Sequence, residues 1–309
     1  MSDRYLITGG AGFIGSALAR ALLARGDRVR IIDDFSTGKR ENLAEIAGEV
    51  ELIEGSILDE SRLARAVEGV AVVFHEAAIA SVPQSMAHPI ENHAVNATGT
   101  LRVLGAALRA GVGRVVYAAS SAAYGDDPTL PKTEAMTPAP ISPYGASKLA
   151  GELYCQVYAA AFGLETVSLR YFNVFGPRQD PRSEYAAVIP KFITRALAGG
   201  TPVIFGDGSQ SRDFCFIDNV VEANLKAADA PGASGRTYNI ACGTATTLNQ
   251  VVALIGQALG RPVEARHDPE RTGDIRHSVA DITAARAGLG YTAAISFAEG
   301  LSRTISWYR

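Results

Sequence analysis

The chain is short of several things, and each shortage narrows what it can be. Its 309 residues include three cysteines, Cys155, Cys215 and Cys242, scattered and odd in number, which offer neither a disulfide framework nor clustered metal ligands. Free thiols suit a reducing compartment, so a cytoplasmic protein is expected. The five histidines also lack ligand spacing, and no metal site is expected. Neither sign of charge dominates: 29 Lys and Arg stand against 32 Asp and Glu, a net charge of −3, so no nucleic-acid partner is expected. No apolar run approaches the roughly 18–20 residues that cross a bilayer, so no membrane partner is expected. A glycine-rich segment begins within ten residues of Met1, which leaves no room for a signal peptide. Repeats, low-complexity tracts and clear linkers are missing too.

What is present is ordinary globular material, 47% hydrophobic and 20% charged, with ample core for one large domain or two lobes. Residues 4–8 read as a short buried strand. Gly9-Gly10-Ala11-Gly12-Phe13-Ile14-Gly15 follows, then apolar residues at 14, 17, 18, 21 and 22 at helical spacing, with Gly26 after Arg25 as a stop. A second strand over 28–32 ends on Asp33. Strand, glycine turn, helix and strand with an acid at its end form the dinucleotide-binding pattern. The glycines serve a tight turn, close approach of backbone to pyrophosphate, and packing of helix on sheet. The free amides of the helix N-terminus suit phosphate. Asp33 can accept hydrogen bonds from a ribose diol and would repel a 2′-phosphate, which favours NAD; Arg30 and Arg40 keep NADP open.

Alternation continues. Strands are expected over 50–53, 70–74, 114–118 and 165–169, and helices over 58–67, 92–110 and from 143 to about Phe162. This pattern implies an α/β fold with a Rossmann-like, doubly wound parallel sheet. The fourth strand ends in the small, apolar run His75-Glu76-Ala77-Ala78. From about 174 the texture changes: 188–198 and Leu248–Leu259 look helical, 212–216 and 238–240 strand-like. A smaller, discontinuous second α/β lobe over the strands' C-terminal edge is expected, with ligands in the crevice there.

Tyr144 and Lys148 lie four apart in Ser142-Pro143-Tyr144-Gly145-Ala146-Ser147-Lys148, hence on one helix face. Ser142 suits the N-cap and Pro143 the first helical position. A cation beside a phenol, helped by the helix N-terminus, is expected to lower the phenol's pKa and make a base near neutral pH.

With the glycine loop, Ser120-Ser121 at a strand end and this Tyr-x-x-x-Lys pair, the chain resembles the extended short-chain dehydrogenase/reductases, in the NAD-dependent epimerase/dehydratase group. Further markers of the resemblance are Val95-Asn96-x-x-Gly99-Thr100, Tyr124-Gly125-Asp126, the run from Arg170 to Pro177, and Arg212-Asp213-Phe214. Within the group the chain looks most like the UDP-glucose and UDP-N-acetylglucosamine 4-epimerases. The resemblance implies an NAD-binding Rossmann domain over 1–173, with part of 213–242 packing back onto it, and a mainly UDP-sugar-binding lobe over 174–309. It implies Tyr144 as catalytic base, Lys148 as its partner and a ribose ligand, and Ser120, or its neighbour Ser121, at the sugar O4. It implies NAD contacts at Gly9, Gly12, Phe13, Ile14, Gly15, Asp33, Asp34, Ser36, Thr37, Gly38, Ser56, Ile57, Ala77, Ala78, Asn96 and Tyr171, besides Tyr144 and Lys148. It implies substrate contacts at Ser81, Asn173, Ala187, Val188, Lys191, Arg212, Arg271, Asp274 and Ser278, besides Ser120, Ser121 and Tyr144. A planar guanidinium suits pyrophosphate because it can donate two bonds at once. A homodimer through the helices near 92–110 and 143–162 is also implied.

The resemblance further implies inversion at C4 through a transient 4-keto sugar, with NAD restored each turnover. Related 4,6-dehydratases carry Asp-Glu just before Val-Tyr-Gly, and the decarboxylases a Glu there; here Ser121 and Ala122 stand in those places. Ser278, where a bulky Tyr would favour plain hexoses, leaves room for an N-acetyl group. This points to UDP-GlcNAc and UDP-GalNAc, with UDP-Glc and UDP-Gal as further substrates. Ser81, Ser85 and Arg178 keep uronates open. A non-catalytic NAD-binding regulator and a net nucleotide-sugar reductase remain the alternatives; Tyr144, Lys148 and Ser120 weigh against the first.

Overall fold

The computed structural model describes residues 4–181, 188–270 and 276–309. Six strands alternate with helices through its first half: β1 (Arg4–Thr8), β2 (Arg28–Asp33), β3 (Val50–Glu54), β4 (Val72–His75), β5 (Arg114–Ser120) and β6 (Glu165–Tyr171). A seventh, Arg236–Ile240, comes from far along the chain and pairs with β6, Arg236 opposite Val167. All seven are parallel, in the order Arg236–Ile240, β6, β5, β4, β1, β2, β3. The order reverses between β1 and β4, which opens a crevice at their C-terminal ends. Both faces of the sheet are buried, so alternate strand residues enter different cores. Tyr5 and Ile7 join one cluster, Leu6 the other; Val116 and Ala118 join the first, Val115 and Tyr117 the second. This explains why the strands read as unbroken apolar runs.

The helices in chain order are α1 (Phe13–Ala24), α2 (Glu60–Val67), α3 (Val82–Ala87), α4 (Pro89–His93), α5 (Gly99–Arg109) and α6 (Pro143–Phe162), then α7 (Val188–Leu197), α8 (Ile217–Asp229) and α9 (Leu248–Leu259). Two further helices, Thr283–Leu289 and Phe297–Tyr308, complete the chain. The helix expected over 92–110 is in fact α4 and α5 joined by a π-helical stretch, Ala94–Thr98. The strand expected over 212–216 is two short pieces, Ser211–Arg212 and Cys215–Phe216. They are parted where the Asp213 carboxylate turns inward to accept the amides of Cys242, Gly243 and Ala280. Among the described residues no helix is long and apolar enough to cross a membrane.

Candidate active site

A cavity of about 270 Å³ lies at the C-terminal ends of β1 to β4. Gly9, Gly12, Phe13, Ile14, Gly15, Asp33, Asp34, Ser36, Thr37, Gly38, Ser56, Ile57, Ala77 and Ala78 all line it. The turn after β1 is tight: Gly9 has φ +69°, and a Cβ there would sit 2.7 Å from the Ala77 backbone. No side chain caps the N-terminus of α1 and its first turn holds no acid, so its amides stand ready for an anion. The Asp33 carboxylate accepts the Ala11 and Phe35 amides, each at 2.8 Å, tying the glycine loop to the end of β2. Burial raises its pKa against those bonds. The cradle therefore fits a dinucleotide with a free 2′-hydroxyl. Neither arginine is poised for a 2′-phosphate. Arg30 is buried and donates to the carbonyls of Arg65, Ala66 and Glu68. Arg40 lies 4.1 Å over the Phe35 ring and pairs with Glu54.

The Tyr144 helix, α6, starts as its sequence directs: Ser142 accepts the Gly145 amide at 3.1 Å and Pro143 opens the helix. The Tyr144 amide donates to Ser85 Oγ at 3.1 Å, which fixes the helix start against α3. The Ser120 hydroxyl, at the end of β5, lies close enough to the Tyr144 phenol to hold its pKa down, and it accepts the Ala122 amide at 3.1 Å. Of the two candidate serines, Ser120 is thus the one brought to the phenol. Lys148 is buried and donates from Nζ to the Ala118 carbonyl at 2.7 Å. The expected lowering of the Tyr144 pKa is not found. Burial raises it, the Ser120 bond opposes the rise, and the Glu76 charge adds to it.

Glu76 is the functional residue that the sequence hid, although it sits in a quoted motif. It lines the dinucleotide cavity, and its Oε1 accepts the Tyr171 hydroxyl at 2.9 Å. Burial lifts its carboxyl to about 7, while the Tyr171 bond and the Lys148 charge oppose the rise. Burial also takes Lys148 down to about 8, against the attraction of Glu76. His75 beside it is wired neutral. Its ring nitrogens meet Thr8 Oγ1 at 2.7 Å and Thr100 Oγ1 at 2.9 Å, and burial, then Lys148, takes it to about 3. An acid directly after β4 is the one signal that could have marked Glu76.

Asn96 and Tyr171 meet the cavity wall through Ile79 and Glu76. Asn96 accepts the Ile79 amide at 2.8 Å and donates to the Ile79 carbonyl and to Ser147, so it braces the cavity wall from behind. Tyr171 is held by Glu76 and by the Asn224 amide at 2.8 Å, and it supports Glu76 from the end of β6. Ser81 caps α3 through the Gln84 amide. Arg178 binds Glu45 at 2.7 Å, beside Lys39 and Tyr308.

A second cavity of about 1000 Å³ is lined by Asn173, Val188, Lys191 and Arg212, with Val82 and Pro83 of α3 on its wall. Ser121 begins the short turn of helix Ser121–Tyr124. Ser278 is half-buried, its amide donating to the Ser211 carbonyl at 3.1 Å. Ala187, Arg271 and Asp274 lie outside the described residues. No cluster of three metal-ligating side chains occurs among the described residues.

Residues 5–241 match the model of a family described as the NAD dependent epimerase/dehydratase family. The chain is similar to a UDP-glucose 4-epimerase of Mycolicibacterium smegmatis, 41% identical with 99% of this chain and 98% of that one covered. It is also similar to a UDP-N-acetyl-alpha-D-glucosaminuronate decarboxylase of Bacillus cytotoxicus, at 36% identity over 100% and 98% of the two chains. A solved UDP-N-acetylglucosamine 4-epimerase from Methanobrevibacter ruminantium M1, in complex with UDP-N-acetylmuramic acid, superposes with a TM-score of 0.95. It is 39% identical over 100% of this chain and 99% of that one.

Proposed function

Because the chain belongs to the NAD-dependent epimerase/dehydratase family, we propose that it is a UDP-sugar 4-epimerase acting on UDP-GlcNAc and UDP-GalNAc, with UDP-Glc and UDP-Gal as further substrates. The observation that carries this reading is the group around Tyr144: a serine hydroxyl on the phenol, and Ser121 and Ala122 where dehydratases and decarboxylases resemble each other in carrying acid. The nearby carboxylate, Glu76, is turned to Tyr171. With Ser121 and Ala122 at those two positions, elimination and decarboxylation lack the acid that those relatives place there.

NAD, when bound against the glycine turn, Asp33 and Lys148, supplies a reversible two-electron oxidation at the sugar's C4. The protein's own part is proton transfer and grip. Tyr144 takes the O4 proton and later returns it, and Ser120 orients O4. Lys148, buried beside them, favours the phenolate by its charge once the proton must leave. Lys191 and Arg212 in the second cavity hold the diphosphate. With the nucleotide anchored there, the sugar can turn and present its opposite face, and the grip keeps the ketone from leaving. The first 173 residues with Arg236–Ile240 then serve NAD, and most of the remainder serves UDP.

A homodimer through α5 and α6 is part of this reading. Leu108, Leu153, Tyr154 and Val157 are exposed there, an apolar surface that a monomer would leave in water. The function is tested by a product assay on the purified protein with UDP-GlcNAc, UDP-Glc and UDP-glucuronate. Epimers, with no added reductant, are the expected products. A pentose from the uronate would favour decarboxylation, the activity named for the Bacillus relative, and a released keto sugar would favour dehydration.

A further inference from the structure

Cys215 and Cys242 are 27 residues apart in the sequence, yet the fold brings them together: the Tyr291 hydroxyl that lies against the Cys215 sulfur donates to the carbonyl of Ala241, next to Cys242, at 2.8 Å. Cys215, in the short strand Cys215–Phe216, is fully buried, and its sulfur lies 3.7 Å from the Tyr291 hydroxyl. Cys242 follows the seventh sheet strand and is only half-buried. Its sulfur accepts the Asn219 side-chain amide at 3.9 Å, in the first turn of α8. The sulfur therefore sits beside the first turn of a 13-residue helix, and such a position favours thiolate. The neighbouring Asp213 carboxylate opposes the effect but is itself spent on the amides of Cys242, Gly243 and Ala280. The interaction with Cys215, then the amides at the helix end, lower the Cys242 thiol against burial and Asp213, while the same interaction and burial raise Cys215 well above its ordinary range. One thiol belongs to a half-buried residue and is lowered; the other is buried near it.

We propose that Cys242 and Cys215 form a redox modification site for hydroperoxides, with Cys242 the attacking thiol and Cys215 the resolving one. The Cys242 thiolate attacks an oxygen of the peroxide, the O–O bond breaks, and hydroxide leaves a sulfenic acid on Cys242. The Cys215 sulfur then attacks the Cys242 sulfur, the S–O bond breaks, and water departs with the Cys215 proton. Two thiols are oxidised to one disulfide, and one hydrogen peroxide is reduced to two waters.

The test uses the reduced full-length protein with stoichiometric hydrogen peroxide, followed by thiol blocking and peptide mass mapping. The expected product has lost two hydrogens, carries a Cys215–Cys242 linked peptide, and reverts with dithiothreitol. Cys155, buried with its thiol pushed up to about 12, stays reduced as an internal control. Cys242→Ser forms no linked product. Cys215→Ala stops at a sulfenic acid on Cys242 that dimedone traps. Should Cys215→Ala fail to fold, the wild-type map decides alone. The proposal is overturned if peroxide leaves Cys242 unmodified, if Cys155 reacts ahead of it, or if Cys242 goes on to sulfinic acid with no link to Cys215.

Discussion

Tyr144 works against its surroundings. A buried phenol resists ionising, and a negative charge on Glu76 makes that harder, so the base role proposed for it calls on the Lys148 charge and a ligand. Tyr144→Phe should cut turnover by roughly 10²–10⁴-fold, the usual worth of a placed proton carrier. Bound NAD should persist, read from the nucleotide absorbance of the purified protein. Glu76→Gln tests the pair behind it. Glu76 raises Lys148 and Tyr144 alike, so loss of its charge lowers both, and both limbs of the pH–rate profile should move to lower pH. A profile that drops in height without moving would reduce Glu76 to a structural prop. Ser278→Tyr fills the space assigned to the acetamido group. It should cost UDP-GlcNAc turnover selectively and spare UDP-Glc, and equal losses on both sugars would reject the assignment.

At the scale of elements, the helix before α5 shows how a periodic pattern can be right about type and wrong about detail. Apolar spacing from 92 to 110 announces one helix. The fold instead widens Ala94–Thr98 into a π-helical stretch, which turns Asn96 inward to hold both polar groups of Ile79. No local propensity encodes that, because Asn96 answers to a loop 17 residues earlier. Asn96→Ala should cost about 1–3 kcal/mol in urea unfolding, since it orphans buried backbone groups. A second tie crosses from α6 to β6. Glu152 and Arg170, both 3% exposed, form a two-pronged ion pair at 2.9 and 2.6 Å, with the guanidinium 4.7 Å from the Tyr124 ring. It secures the helix that carries Tyr144 and Lys148. Glu152→Ala should destabilise by about 3–5 kcal/mol by stranding a buried cation. Replacing both partners with apolar residues of similar volume should cost much less in the same assay.

Over the whole molecule, the seventh strand is what joins the two halves. Chain from beyond 230 returns to pair with β6. One sheet thereby carries the dinucleotide crevice and anchors the lobe with the second cavity. NAD bound across this frame should stabilise it as a unit. With free NAD at a hundred times its dissociation constant the gain is roughly 2.7 kcal/mol, visible as a raised melting temperature. The proposed dimer face is the other property of this scale. Val157→Arg, on the exposed side of α6, should give a monomer in sedimentation, whereas an unchanged mass would place the subunit contact elsewhere or nowhere.

The glycine turn, Asp33, the capped start of α6 and the Tyr-x-x-x-Lys spacing were legible because each rests on interactions within a few residues. Steric limits on φ, helix capping and helical periodicity act over that range and leave their mark on a linear chain. The meeting of Glu76 with Tyr171 across 95 residues, of Arg170 with Glu152, and of Cys215 with Cys242 left no such mark. Those contacts exist only because parallel strands bring their C-terminal ends to one edge, and burial there gives ordinary carboxyl, ammonium and thiol groups ionisation behaviour that they lack in water.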